Sequence, residues 1–497
     1  MYRLRNLFDR DFNLLFLPIL LMGCQSTIEW KVDFANTGTY ASPRAIDLNQ
    51  DQVLDLVIGA GGRVEWDSTP NGVLALDGKN GKLLWQKDAR NQIIGCPVFT
   101  DLNEDQVPDV IIGGRSAQLI ALDGHDGTLI WEYLANDPSL DFKNDTSLLN
   151  FFNPQLIDDQ NQDGFQDILI AYGGFVKAKP WETIRPSGYL MIFSALDGKL
   201  ITKAPMPDGK ETYMSPVVDK RPTETLVYFG SGGETIAGNF YVTRLEDVLD
   251  GTINEHQLLI HGTEKGFIAP PLLIDITNDK IPDVVVNAYQ GKTTAIDGAD
   301  RKIIWQVDLG EGYETHSQPA PGYFSGNDSI VDFFVNYGQG VWPEVKSSLQ
   351  LIIDGKTGHS FRVDSLGSLQ YGSPIVLENT TTSSNHVFLL VNEITETKFS
   401  PESGRPQKEF TNSLLVFTPQ NNSVKKMHTL VGTNVGSTLL AEDLDQNGEL
   451  EIICINNQNP YDPFIFSGMQ IRCITLRGYE SHWNQYMGPQ GKSIYRD

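Results

Sequence analysis

Five short stretches of the chain set oxygen-bearing side chains at one spacing, at positions 1, 3, 5 and 9. They are Asp47, Asn49, Asp51 and Asp55; Asp101, Asn103, Asp105 and Asp109; Asp159, Asn161, Asp163 and Asp167; Asp275, Thr277, Asp279 and Asp283; and Asp443, Asp445, Asn447 and Glu451. Carboxylates this crowded repel one another unless they face water or surround a cation. Tight loops of this kind suit Ca²⁺, which takes six to eight oxygens at about 2.3–2.6 Å; Mg²⁺ is less apt because it demands near-octahedral geometry and keeps its waters. Asp and Asn also favour turns for local reasons, so one such loop would mean little. Five at the same point of a repeat point to bound calcium, about three to five ions. Thr277 is the weaker ligand of its set, and Gly164 and Gly448 ease their turns. Each loop carries three acidic residues, so five divalent ions would offset ten of fifteen charges.

The elements that position these loops repeat as well. "SPRAIDLNQDQVLDLVIGAGG" from Ser42 parallels "CPVFTDLNEDQVPDVIIGGRS" from Cys96, and related units begin at Asn153, Pro270 and Ser437. Copies without the acidic loop begin at Ser215, Gln318 and Ser373, which makes eight units, and Pro43 and Pro97 are 54 residues apart. Second halves such as "GVLALDGKNGKLLWQKDA" and "KTTAIDGADRKIIWQVDL" share a strand, an Asp-Gly turn and a Trp-bearing strand. A unit is therefore four short strands, and four-stranded units repeated about an axis make a β-propeller. The expected fold is all-β, an eight-bladed propeller of four-stranded antiparallel blades, with seven blades the alternative. "IEWKVDF" from Ile28 matches the Trp-bearing strands and has no unit of its own. It is expected to complete the last blade and close the ring, which removes an exposed sheet edge. "ESHWNQYMG", with Trp483, is the competitor for that place.

The acidic loops followed by apolar strands and Gly-rich ends resemble the FG-GAP/VCBS repeats of the integrin α-subunit propeller. The "ALDGKNGKLLW" halves resemble the repeats of pyrroloquinoline-quinone-type eight-bladed propellers. The resemblance covers nearly all of residues 28–480 and implies the fold; propellers carry many unrelated activities. It also implies the metal-ligand sets named above.

The chain of 497 residues is ample for a large core, and its net charge of −25 excludes nucleic acid or an anionic membrane surface as its partner. Residues 1–23 read as a secretory signal, with Arg3, Arg5 and Arg10 ahead of an apolar stretch too short to span a bilayer. "LMGC" resembles a bacterial lipobox, which implies that Cys24 becomes a lipidated first residue, followed by a tether over 24–27, the propeller over 28–480 and a tail over 481–497. An ordinary signal with an incidental cysteine is the alternative. Cys454 and Cys473, on successive strands, suit either a disulfide or two buried thiols, and Cys96 has no evident mate.

Strand alternation puts the acidic loops and Asp-Gly turns on one face of the ring. The irregular loops fall on the other, with Trp66, Trp181, Trp342, Tyr461 and Phe464 as candidate partner-binding residues. Exposed aromatics are common where proteins or glycans bind; the alternative is that these loops bury their rings against each other. Trp30, Trp85, Trp131 and Trp305 recur in register and are expected to pack between blades. No catalytic set emerges: the eight His are scattered without an HxH or HExxH pair, and no GxSxG occurs. His261, His316, Arg63 and Arg185 would reach the irregular face. Two function classes follow. The first is a lipid-anchored, non-catalytic protein of the bacterial envelope (outer membrane, periplasmic or surface-exposed) that binds a protein or glycan. The second is a quinoprotein dehydrogenase, with a calcium-dependent polysaccharide lyase in reserve. Enzymes of the methanol-dehydrogenase type often carry adjacent cysteines near the cofactor and this chain has no Cys-Cys, so pyrroloquinoline quinone is not expected.

Overall fold

The computed structural model describes residues 29–496, apart from 135, 138, 141–147, 176, 177, 180, 326, 327, 342, 343, 369 and 398–406. The signal segment, Cys24 and Trp342 lie outside the described residues.

Eight antiparallel sheets follow one another along the chain. Blade 1 is typical: Arg44–Ile46, Asp55–Gly59, Thr69–Leu76 and Leu83–Ala89, paired in that order. Its second strand, DLVIG, is buried throughout, and its equivalent in blade 2, Asp109–Gly113, is buried throughout as well. Continuous Val/Ile runs form these strands because both of their faces are covered by neighbouring blades. Fourth strands are half-solvated, leaving Leu83, Leu129 and Ile303 exposed.

The recurring tryptophans tie neighbouring blades at four junctions. Trp30 Nε1 donates to the Gly78 carbonyl at 2.7 Å, Trp85 to Gly124 at 2.8 Å, Trp131 to Ala195 at 2.8 Å and Trp305 to Gly355 at 2.7 Å. Each indole thus packs against the turn of the neighbouring blade and satisfies its one donor there.

The ring closes between the ends of the chain. Trp30–Ala35 pairs antiparallel with Gly468–Leu476, from Trp30 opposite Cys473 to Ala35 opposite Gly468, as the fourth strand of blade 8. The competing segment does something else: Tyr479–Trp483 adds a fifth strand to blade 7, along the first strand Ile375–Asn379.

From there residues 484–496 run among the first strands. Ala441 N–H of blade 8 bonds Asn484 O at 2.8 Å, and Arg44 of blade 1 bonds Gln485 and Tyr486. Gln155 of blade 3 reaches Gly491 O at 3.3 Å, and Leu273 of blade 5 bonds Ser493 O at 2.9 Å. Gln318, leading into blade 6, bonds Ser493 Oγ. Only a segment on the axis can touch five blades, so the tail occupies the centre of the ring at this level.

Cys454 and Cys473 are both buried and form no disulfide. Residue 473 lies opposite Ile453, so the two cysteines point to opposite faces of one sheet and into different cores. Burial pushes the Cys454 thiol up to about 12 and that of Cys473 higher still. The two behave as small hydrophobes.

Candidate functional site

The five acidic loops share one backbone. Positions 4 and 6 take the left-handed conformation in all of them, from Gln50 and Gln52 (φ 60° and 70°) to Gln446 and Gly448 (56° and 87°). The position-1 carboxylate accepts the N–H of position 6 each time: Gln52 to Asp47 at 3.1 Å, Gln106 to Asp101 at 2.9 Å, Gly164 to Asp159 at 2.9 Å, Lys280 to Asp275 at 2.8 Å and Gly448 to Asp443 at 2.9 Å. The position-9 carboxylate accepts the N–H of position 2 just as regularly, as Leu48 to Asp55 at 3.0 Å and Leu444 to Glu451 at 3.0 Å show.

Position 9 also reaches across the blade. Asp55, Asp109 and Asp283 accept the Gly78, Gly124 and Gly298 N–H groups at 3.1, 2.9 and 2.8 Å. Blade 6 keeps an acid at position 5 alone, Asp328, yet Asp332 holds the same clamp on Phe324, Ser325 and Gly355 N–H. The last carboxylate therefore holds the fold on its own account. Positions 1, 3 and 5 also accept loop N–H groups, as Asp51 Oδ1 does from Val53 at 2.9 Å, and their remaining lone pairs are what a cation would use.

Three observations bear on that cation. Asp47 Oδ1, Asp167 Oδ1 and Asp445 Oδ1 are buried with no hydrogen-bond partner, as metal-facing oxygens would be. Among the described residues one group gathers three acidic ligands, Asp443, Asp445 and Glu451, with their oxygens within 4.8 Å of one another. Burial also lifts the position-9 groups, Asp55 and Asp167 to about 6 and Glu451 to about 7, against the pull of their backbone N–H donors. The donor set fits Ca²⁺, and the fifth loop gathers it most tightly.

On the opposite face, Trp66 is 54 % exposed, Trp181 73 % and Tyr461 54 %. Ile184, on the same loop as Trp181, is 92 % exposed. The loops of blades 7, 8 and 1 are joined here, Phe410 N–H to Pro460 O at 2.6 Å and Phe466 N–H to Arg63 O at 2.7 Å. Phe464 departs from the expectation. It is half-buried and packs edge-on to Tyr371 at 6.4 Å.

The segments leading into the blades bring together residues that the sequence reading left apart. Tyr40, Tyr213, His316 and Tyr371 each stand three residues before a proline mark, and Gln92, Glu211, Lys265 and Glu314 stand five before one. Lys265 and Glu314 form a close ion pair, and Lys265 lies 5.0 Å over the Tyr289 ring. Tyr289 and Tyr371 flank His316 at 5.0 and 5.5 Å. Arg185 is 3.9 Å from Glu211, which accepts the Tyr213 hydroxyl at 3.2 Å while its Oε1 is buried without a partner. Burial raises Glu211 to about 7, with Arg185 pulling it back, and lowers His316 to about 4, helped by Lys265. The shared offset from proline was the signal that would have found this cluster.

Residues 28–241 match the family described as outer membrane protein assembly factor BamB, so the first three blades and part of the fourth carry that repeat type. No curated protein matches the chain in sequence. Among solved structures, a europium-containing methanol dehydrogenase is 10 % identical over 89 % of this chain and 92 % of its own, with a TM-score of 0.57. The quinohemoprotein alcohol dehydrogenase of Comamonas testosteroni is 12 % identical over 90 % and 76 %, at 0.53. Saccharomyces cerevisiae Sqt1 is 11 % identical over 91 % and 100 %, also at 0.53. At such identities the likeness is one of fold.

Proposed function

We propose that this chain is a non-catalytic, calcium-stabilised, lipid-anchored β-propeller that binds a protein or glycan partner at the bacterial cell envelope. The observation that carries the reading is the exposure of Trp66, Trp181 and Tyr461 on the face opposite the acidic loops. Large aromatics set in loops on a rigid ring supply contact area at low entropic cost. The acidic loops, of FG-GAP/VCBS type, tie the first two strands of five blades and leave that face to vary. The BamB-type repeat over 28–241 supports an outer-membrane-associated setting, reached through the lipid on Cys24. The test is site-specific photo-crosslinking in envelope preparations, with probes at Trp181 and, as control, at Lys79 in an Asp-Gly turn. Crosslinks confined to the first probe, lost in Trp66→Ser/Tyr461→Ser, support the reading; a glycan panel covers the saccharide case.

A quinoprotein dehydrogenase is the second reading, favoured by the fold shared with the methanol dehydrogenase. The charges weigh against it. Pyrroloquinoline quinone carries three carboxylates, whereas Arg185 and Lys265 are already held by Glu211 and Glu314, with Glu234 close by. An absorbance scan of the purified protein for bound quinone separates the two readings.

A further inference from the structure

The axial tail borders a cleft of about 820 Å³ on the acidic-loop face, opposite the aromatic loops. Its volume falls within the range of small-molecule sites. Phe99, Leu245 and Ile494 give it an apolar lining. Its bases are Arg44, Lys220, Arg244, Lys492 and Arg496, against Asp158, Glu224 and Glu246. That excess of positive charge stands out in a chain of net charge −25.

Two of the five bases are spoken for: Lys220 pairs with Asp158 at 2.6 Å and Arg244 with Asp247 at 3.0 Å. Lys492 and Arg496 are exposed, and no ion pair joins either to another described residue. Arg44 is only 7 % exposed. Its Nη1 donates to Gln485 Oε1 at 2.5 Å and its Nη2 to Tyr486 O at 2.7 Å, both neutral acceptors. The titratable groups beside it are the Cys96 thiol and the Tyr486 phenol rather than a carboxylate. A buried cation is costly unless an anion accompanies it. Anchoring the tail alone would need only a neutral donor such as Gln.

We propose that this cleft binds a small organic anion, with a carboxylate or phosphate group among Arg44, Lys492 and Arg496 and its apolar body over Phe99 and Leu245. The ligand class follows from the lining: uncompensated positive charge beside an apolar surface, in a cleft too small for a folded partner.

Calorimetric titration of the full soluble chain with phenyl phosphate, phenylacetate and benzyl alcohol tests this. The two anions are expected to bind at least tenfold more tightly than the neutral alcohol. Lys492→Glu/Arg496→Glu should weaken the anions at least tenfold with an unchanged melting temperature, and Arg44→Gln should weaken them as well if it folds. Because the rim pair is exposed, the test survives a failure of Arg44→Gln to fold. Equal affinity for benzyl alcohol, or anion binding untouched by the rim double variant, would overturn the proposal.

Discussion

Trp30 and Gly78 meet through a single hydrogen bond of 2.7 Å, from the indole Nε1 to the glycine carbonyl, that joins the strand closing blade 8 to the first Asp-Gly turn of blade 1. The Gly78 N–H is held in turn by Asp55 Oδ1 at 3.1 Å. One residue thus receives the neighbouring blade on its carbonyl oxygen and its own blade's acidic loop on its N–H. A Cβ at Gly78 would fall 1.9 Å from Leu54 O, so no other residue fits.

Gly78→Ala should therefore destabilise the protein by on the order of 3 kcal/mol, through a backbone clash at a double tie. Trp30→Phe, which removes the hydrogen bond but keeps a ring, should cost about 1–2 kcal/mol. Urea unfolding midpoints distinguish the two. Equal losses would mean that the peptide carries no special strain.

Calcium should separate the two jobs within the acidic loop. Asp332→Ala strips the clamp from Phe324, Ser325 and Gly355 N–H in a blade that has an acid at position 5 but none at positions 1 and 3. It should cost about 2–3 kcal/mol equally in calcium and in chelator. Asp445→Asn should cost little in chelator and should remove part of the calcium-induced rise in melting temperature. If calcium leaves the melting temperature of the parent chain unchanged, the metal reading of the loops fails.

The lead-in cluster makes stability depend on pH in two opposed ways. Glu211 rises from 4.5 to about 7 on folding. Between those values the folded chain keeps a proton that the unfolded chain releases. The stabilisation is complete below pH 4.5 and is lost as pH rises through 7. His316 falls from 6.5 to about 4, so its contribution is present above pH 6.5 and fades as pH drops toward 4. Glu211→Gln should flatten the alkaline decline, by up to about 3 kcal/mol across the window, and leave the acid side in place. Chemical denaturation at pH 5, 6, 7 and 8 measures it. A variant whose slope matches the parent would show that Glu211 is ionised throughout.

Removing residues 484–497 should lower stability by several kcal/mol, because it unpairs groups on five blades at once: Arg44, Gln155, Leu273, Gln318 and Ala441. Calorimetry on the shortened chain checks this. An unchanged transition would mean that the tail merely rests on the axis.

The repeat was legible because its marks are local. The proline, the acidic loop, the Asp-Gly turn and the Trp strand each announce a turn or a strand within a few residues, and eight copies fix the ring. The closing strand was legible for the same reason, since Trp30 sits in a Trp-strand pattern that lacks a unit. The role of position 9 was not, because its partner, such as Gly124 for Asp109, lies on another hairpin. Nor was the place of Trp483, whose strand pairs with Ile375–Asn379 a hundred residues upstream in the chain. The cluster about Glu211 and His316 escaped because its members are some fifty residues apart and of different types, and only the ring brings them together.

The way the ring is closed has a bearing on how the chain is made. Residue 30 waits for residue 473 before blade 8 is whole, and the axis is filled only when residues 484–496 have arrived. Pairings of such sequence separation form slowly, and these cannot begin until nearly the last described residue has been synthesised. Until then the chain is an open row of blades whose eighth lacks its fourth strand, so the finished ring is among the last things to form.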